Sequence, residues 1–282
     1  QLYEFLRRYF VEEEACKPAE AGERTRGFLD SVHKYSSLLI ERGREQFGFV
    51  HQTLEEYLAG CGLTLLPVDE AAERIREHLP DAAWRETILL GIGALGIVRK
   101  DPRGAGELLK RLLAAPLDGE DRGLNVVVAG EALRDVGKVG LRPQVAQQVT
   151  GALVETMQDA AVALKLRREA GLLLGEIGWV PGNLDAFVRV EAGEFLYGEE
   201  RERQSIDYPY WVGKYPVTNL QFARFVADGG YGERRWWSAD GWRWLQEEGI
   251  DGAEQYGEAF SNPLCPVVGV SWFEADAYCR WL

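Results

Sequence analysis

The stretch NPLCPVVGVSWFEADAYCRWL, residues 262–282, decides how the C-terminal part of the chain is read. Pro263 and Pro266 fix φ and remove two backbone donors, so they bracket the apolar run Val267, Val268, Gly269, Val270 as stiff chain. Ser271 followed three residues later by Glu274 has the form of a capping box, in which each side chain satisfies an unpaired N–H of the first helical turn. A helix from Ser271 onward is the expectation. The same grammar recurs in KYPVTNLQFARFVADGG, residues 214–230, where Thr218 and Gln221 make the box and Gly229 and Gly230 end the helix. Between the two lies an aromatic concentration: Tyr231, Trp236, Trp237, Trp242 and Trp244, interleaved with glycine and arginine. Rings at this density either build a loop-rich core or line a recognition pocket. The expectation is mostly core, with one or two rings exposed.

GEFLYG (193–198), KYPVTNLQFARFV (214–226), the aromatic cluster and PVVGVSWFEADAYCRWL (266–282) stand in an order that resembles the first half of a formylglycine-generating-enzyme, or sulfatase-modifying-factor, domain. The resemblance covers 187–282 and implies a C-type-lectin-like core with little regular secondary structure. It also implies chemistry. In that family a late cysteine pair binds copper and activates oxygen, and related sulfoxide synthases hold iron with histidines. Cys265 and Cys279 occupy first-half positions that do not match the catalytic pair, and no histidine follows His78. Catalytic residues within this segment are therefore expected to be none, and so is a metal. The second half, with its calcium or copper sites, is expected beyond Leu282. As a scaffold for ligand recognition, the resemblance nominates Tyr231, Arg235, Trp236, Trp237 and Trp242.

Moving outward, WVPGNLDAFVRVEAGEFLYG (179–198) is the junction, where Pro181 and Gly182 end a helical region and the alternation in FVRVEAGEF opens a β-containing one. A linker this short is expected to hold its two sides in a fixed orientation. Before it, ILLGIGALG, AGEALRDVG and AGLLLGEIG recur with a spacing of 41 residues, placing Gly96, Gly137 and Gly178 in register. A period near forty is that of HEAT or armadillo-like helix pairs, which stack because each unit is too thin to bury its own face. Residues 67–182 are read as such an array, each first helix ending in a glycine cap.

The N-terminal part opens with an amphipathic helix over 1–17, with Leu2, Phe5, Leu6, Tyr9 and Phe10 on one face, followed by a charged connector at 17–24. Phe28, Leu29, Val32, Tyr35, Leu38 and Leu39 predict a second helix running to Gly43, EQFGFVH a strand, and HQTLEEYLAG a helix in which Thr53 and Glu56 form a third capping box and Gly60 ends it. FGFVHQTLEEYLAG resembles the winged-helix region that follows the core of NACHT-type signalling NTPases, and residues 1–66 are assigned to it. There the residue at His51 can sense the nucleotide state; packing on the strand and capping the next helix is the preferred reading. No GxxxxGK[ST] loop is present, so ATP or GTP with magnesium would act upstream of Gln1. His33 and His78 have no partner ligand at helical spacing.

Composition narrows the classes. The net charge is −13, and 187–282 carries sixteen acids against nine bases, without a basic cluster, which argues against nucleic acid as a partner. No apolar run is long enough to span a membrane, and four scattered cysteines without a CxxC pattern read as free, mostly buried thiols of a cytoplasmic protein. The fold class is thus multidomain, α then α+β: a winged-helix-like tail, a HEAT-like α-solenoid, and a partial formylglycine-generating-enzyme-like (C-type-lectin-like) domain. Two functions are weighed, the first preferred and the second its alternative. One is a sensor in which a NACHT-like switch and helical repeats carry a domain recognising a protein or small-molecule ligand, with a homo-oligomer formed on activation. The other is an oxygen-dependent oxidoreductase of the formylglycine-generating or sulfoxide-synthase type with a regulatory N-terminal half.

Overall fold

A computed structural model describes residues 2–12, 14–32, 39–43 and 46–282. Two compact units are formed: Gln1–Ala115 with Asp135–Arg142, and Pro116–Arg134 with Pro143–Leu282.

In the first unit, α1 (Leu2–Glu12) packs on α2 (Pro18–Ser31). The second helix starts earlier than its apolar spacing predicts, because Pro18 sits at its first turn, where a fixed φ and a missing N–H do no harm. The charged stretch read as a connector is therefore its opening turns. The helix also stops earlier. Leu39–Gly43 is strand β1, paired antiparallel with β2 (Gln46–Phe49) in the register Leu39↔Phe49 and Ile40↔Gly48. Cross-strand pairing overrides the helical spacing, which a short apolar run cannot distinguish from a strand. His33, Tyr35 and Leu38 lie outside the described residues.

Helix α3 (Gln52–Leu63) follows the hairpin, and two expectations about it fail. Thr53 is inside the helix, not at its cap; the N-cap residue is His51, and Gln52 Nε2 instead bonds Glu56 Oε1 at 2.8 Å. Gly60 does not end the helix. A Cβ there would stand 2.4 Å from the Thr87 carbonyl oxygen and 2.7 Å from Gly91 N, so the glycine lets α3 and α5 (Arg85–Gly93) approach backbone to backbone. Helix α4 (Val68–His78) and α6 (Pro102–Leu113) complete the unit through Ile75, Ile88, Ile92, Leu108 and Leu112, all buried. Arg111 on α6 reaches Asp69 of α4 at 2.6 Å.

Of the three glycines in register, Gly137 and Gly178 have left-handed φ of 59° and 79°. Gly96 does not, because α5 continues through a wider turn at Ala94–Val98. Gly137 interrupts α7 (Leu124–Gly140).

In the second unit, α8 (Pro143–Gln158) and α9 (Leu164–Glu176) pack together and bury Val149, Leu153, Leu173 and Leu174. Arg134 on α7 pairs with Glu176 on α9 at 3.2 Å. After the junction come two antiparallel pairs: β3 (Phe187–Val190) with β6 (Tyr210–Gly213), and β4 (Gly193–Tyr197) with β5 (Glu202–Ile206). Their side chains are mostly exposed, Trp211 among them. The core of this part lies instead between α10 (Asn219–Ala227), α11 (Ala239–Glu248) and α12 (Trp272–Trp281), around Phe222, Phe225, Trp237, Leu245, Ala277 and Tyr278. The four cysteines are free; only Cys16 is buried, Cys61 and Cys265 are half-buried and Cys279 is exposed, so the expectation of mostly buried thiols fails.

Candidate functional site

Both proline-stiffened motifs meet in space. Val267 N–H donates to the Val217 carbonyl at 2.9 Å, and Thr218 forms an antiparallel bridge with Pro266. Each motif then turns into its helix through the predicted capping box, Thr218 with Gln221 and Ser271 with Glu274. The first turn of α10 is satisfied from the other motif: Asn219 N–H donates to the Cys265 carbonyl and Leu220 N–H to that of Pro263, both at 2.9 Å, while Asn219 Nδ2 reaches the carbonyls of Phe260 and Asn262. Orphan donors of a helix start are thus absorbed by a loop whose prolines have no N–H to compete.

Gln221 does more than cap. Its Oε1 accepts the Thr218 N–H at 3.0 Å, and its Nε2 donates to the Leu184 carbonyl and to Asp185 Oδ1 at 2.9 Å. Asp185 is also paired with Arg224 at 2.9 Å, and these two donors, Gln221 first, hold its carboxyl below the usual range. The capping residue of α10 therefore ties that helix to the junction. The sequence announces the cap, whereas the partners at 184 and 185 are not legible from it.

Of the nominated aromatic residues, Trp237 is a core side chain whose Nε1 donates to the Gly230 carbonyl at 2.8 Å. Tyr231 is half-buried between Phe225 and Trp237, and its hydroxyl donates to Glu274 Oε1. Burial, then this bond to a carboxylate, pushes the phenol well above its ordinary value. Glu274 is itself 2 % exposed, and its second oxygen takes the Ser271 N–H at 2.6 Å, so one buried carboxylate closes the cap and orients the tyrosine. Trp236 and Trp242 are half-buried, and Trp236 Nε1 has no partner. Arg235 is exposed and lies 4.4 Å over the Trp236 ring, with Arg234 5.8 Å from that of Trp242. None of the five rings is exposed, so the expectation of one or two exposed rings fails: Trp236, Trp242, Trp244 and Tyr231 are half-buried against the core and Trp237 is inside it, with Arg235 over the Trp236 ring and Arg234 beside Trp242.

His51 stands apart from all of these. It is exposed at the start of α3, where its backbone carbonyl accepts the Leu54 N–H at 3.1 Å and its side chain makes no capping bond. His78 stacks on Trp84 with ring centroids 3.9 Å apart. Among the described residues no group of three His, Cys, Asp or Glu is placed to hold a metal ion, and no helix is long and apolar enough to cross a membrane.

Residues 177–282 match the family described as sulfatase-modifying factor enzyme 1-like domain, and residues 1–63 match the winged helix-turn-helix domain C-terminal to NACHT. Among individual proteins, the chain is similar to the hercynine oxygenase of Mycolicibacterium smegmatis, with 35% identity over 123 residues, 36% of this chain and 29% of that protein. The hercynine oxygenases of Mycolicibacterium thermoresistibile and Mycobacterium tuberculosis are 37% and 36% identical over 98 and 94 residues, each match spanning 22% of the relative. The chain therefore covers less than a third of the length of these relatives.

Proposed function

We propose that residues 177–282 are the leading part of an oxygen-dependent oxidoreductase domain, carried behind a NACHT-associated winged helix and a helical segment that regulate it. The observation that carries this reading is the 35–37% identity to three hercynine oxygenases in a chain that also matches the sulfatase-modifying-factor family. An iron or copper centre would supply the oxygen chemistry. The described residues do not fit such a centre, since 177–282 contains no histidine and no cluster of metal-binding side chains is formed. No step of the reaction is therefore assigned to them. Their part is to hold the frame: the bridged segments at Val217–Thr218 and Pro266–Val267, the two capped helices, and the buried Glu274 that fixes Tyr231.

The helical segment between the two matched regions is proposed as a short HEAT-like array on the basis of its 41-residue recurrence. Nucleotide sensing through His51 and assembly into a homo-oligomer belong to the same proposal. Oxygen uptake by the whole protein, loaded with iron or with copper, is the test. Uptake that depends on added hercynine or a related small betaine is expected. A whole protein that binds metal yet consumes no oxygen with such substrates would overturn the reading.

A second reading has its own support in the exposed Arg235, which lies over the half-buried Trp236 ring and pairs with Glu233 at 3.5 Å, a polar surface beside an aromatic ring. On that reading the domain recognises a protein or small molecule and the winged helix relays it. Loss of saturable ligand binding in Trp236→Ala, with no oxygen uptake by the unaltered protein, would favour it.

A further inference from the structure

Within the second unit a cavity of about 490 Å³ lies where α8 and α9 face the junction and the 262–266 loop. One wall is the α9 face Arg168, Gly171, Leu172, with Met157 and Gln158 from the end of α8. The opposite wall comes from Trp179, Pro181 and Leu184 of the junction, and from Tyr215, Pro216 and Leu264. The walls are tied to each other. Asn262 Nδ2 donates to the Leu172 carbonyl at 2.8 Å, and Gly175 makes room for it, since a Cβ at that position would lie 2.2 Å from Asn262 Oδ1. Four prolines in or beside the lining, Pro181, Pro216, Pro263 and Pro266, stiffen the backbone around it. The space is thus preformed and mainly apolar, as small-molecule sites are.

Its charge is the informative feature. The chain carries 45 acidic against 32 basic residues, yet no Asp or Glu lines this cavity. Arg168 does, and no carboxylate among the described residues lies within ion-pair distance of it, whereas Arg167, its neighbour, is committed to the Met157 carbonyl at 3.0 Å. Tyr215 offers its hydroxyl to Asn183 Oδ1 at 3.4 Å, which leaves the Asn183 amide N–H groups as further donors at the same cavity. The Arg168 side chain is exposed to solvent at the edge of this aromatic and proline-lined hollow, where it is available for a charge-assisted bond to an anion whose body is apolar.

We propose that this cavity binds a small organic anion, a carboxylate or sulfonate on an aromatic or short aliphatic body, with Arg168 on the head group and Trp179 and Tyr215 against the body. The cavity shares its 179–266 wall with the proposed oxidoreductase domain, but the binding proposal stands apart from that reading, because its head-group residue Arg168 lies outside 177–282 and no oxygen chemistry enters the test. Such a site would bring a metabolite signal to the boundary between the helical segment and the 187–282 region.

The test is calorimetric titration of the full chain with indole-3-acetate and octanoate, each against its neutral alcohol, tryptophol or octanol. The acids are expected to bind saturably and more tightly than the alcohols by about tenfold, the scale of one charge-assisted bond. Arg168→Gln is expected to erase that difference while leaving the weak alcohol binding, and Arg168→Lys to keep most of it. Gly171→Leu, which projects a side chain past Met157 into the space, is expected to abolish binding of both. Equal affinity for acid and alcohol, unchanged acid binding in Arg168→Gln or in Gly171→Leu, or no saturation by either acid at millimolar concentration would each overturn the proposal.

Discussion

Glutamine 221 concentrates several tasks in one buried side chain. As a cap it needs only an acceptor, and a carboxylate would serve equally. As the tie to Leu184 and Asp185 it needs the amide N–H groups, and a carboxylate would face Asp185 with like charge. Gln221→Glu is therefore expected to lower stability by about 2 kcal/mol at neutral pH, from leaving the buried Leu184 carbonyl unmet and placing a like charge against Asp185. Part of the loss should return as pH falls and the new carboxyl takes a proton. Chemical denaturation at pH 7 and pH 5 measures it; a neutral effect at both would mean that the amide donations contribute nothing. Tyr231 offers a second check with the opposite pH sense. Its phenol is raised in the folded state, so the folded form holds the proton more tightly than the unfolded form. The resulting stability is present below about pH 10, the ordinary tyrosine value, and is lost as pH rises beyond it. Tyr231→Phe should cost on the order of 1–2 kcal/mol at pH 7, by stripping a partner from buried Glu274, and should flatten the alkaline decline. An unchanged slope above pH 10 would show that another group, such as Tyr278, which burial also raises, governs it.

At the scale of elements, the three predicted capping boxes separate the local rule from its context. Two form, at Thr218 and Ser271, and both sit where a second chain segment fixes the approach to the helix. The third does not, since α3 begins earlier, straight from the β-hairpin. Ser271→Ala is expected to lower stability by about 1 kcal/mol and Thr53→Ala to change it by less than about half that. Thermal melts of the two variants compare them directly, and equal losses would contradict the geometry. The α3–α5 contact is more demanding. Gly60→Ala would push a methyl into the Thr87 and Gly91 backbone, which cannot rotate away, at a cost of about 1–3 kcal/mol from overpacking. Hydrogen exchange in α3 and α5 reports this, and unchanged protection would mean that the helices can slide apart freely.

For the whole molecule, the junction sets how much of the chain behaves as one unit. Leu184 is buried, its carbonyl accepts from Gln221, and Lys214 N–H donates to the Ala186 carbonyl at 2.8 Å, so 180–186 is held on both sides within the second unit. Limited digestion is expected to spare it from thermolysin while trypsin cuts after Arg201 in the exposed turn at 198–201. Early thermolysin cleavage before Leu184 would show that the tie opens readily. The acidic balance argues at the same scale. With a net charge of −13 and no basic cluster in 187–282, retention on a polyanion column at physiological salt is not expected.

Much of this was legible locally. Caps, prolines, the glycine-spaced recurrence and the order of aromatic motifs are short-range features, since each depends on the φ/ψ preference or hydrogen-bonding reach of a few neighbouring residues. They identified the two regions that resemble known families and both helices of the C-terminal frame. Tertiary structure decided what depends on distant segments meeting: that Leu39–Gly43 pairs as a strand, that Gly60 is a contact and not a terminus, that Gln221 reaches Asp185, and that Tyr231 and Trp237 belong to the core wall. The cavity at Arg168 is of this second kind. Its lining comes from residues 157–266, and no local pattern encodes which charge will be left without a partner once those segments close around it.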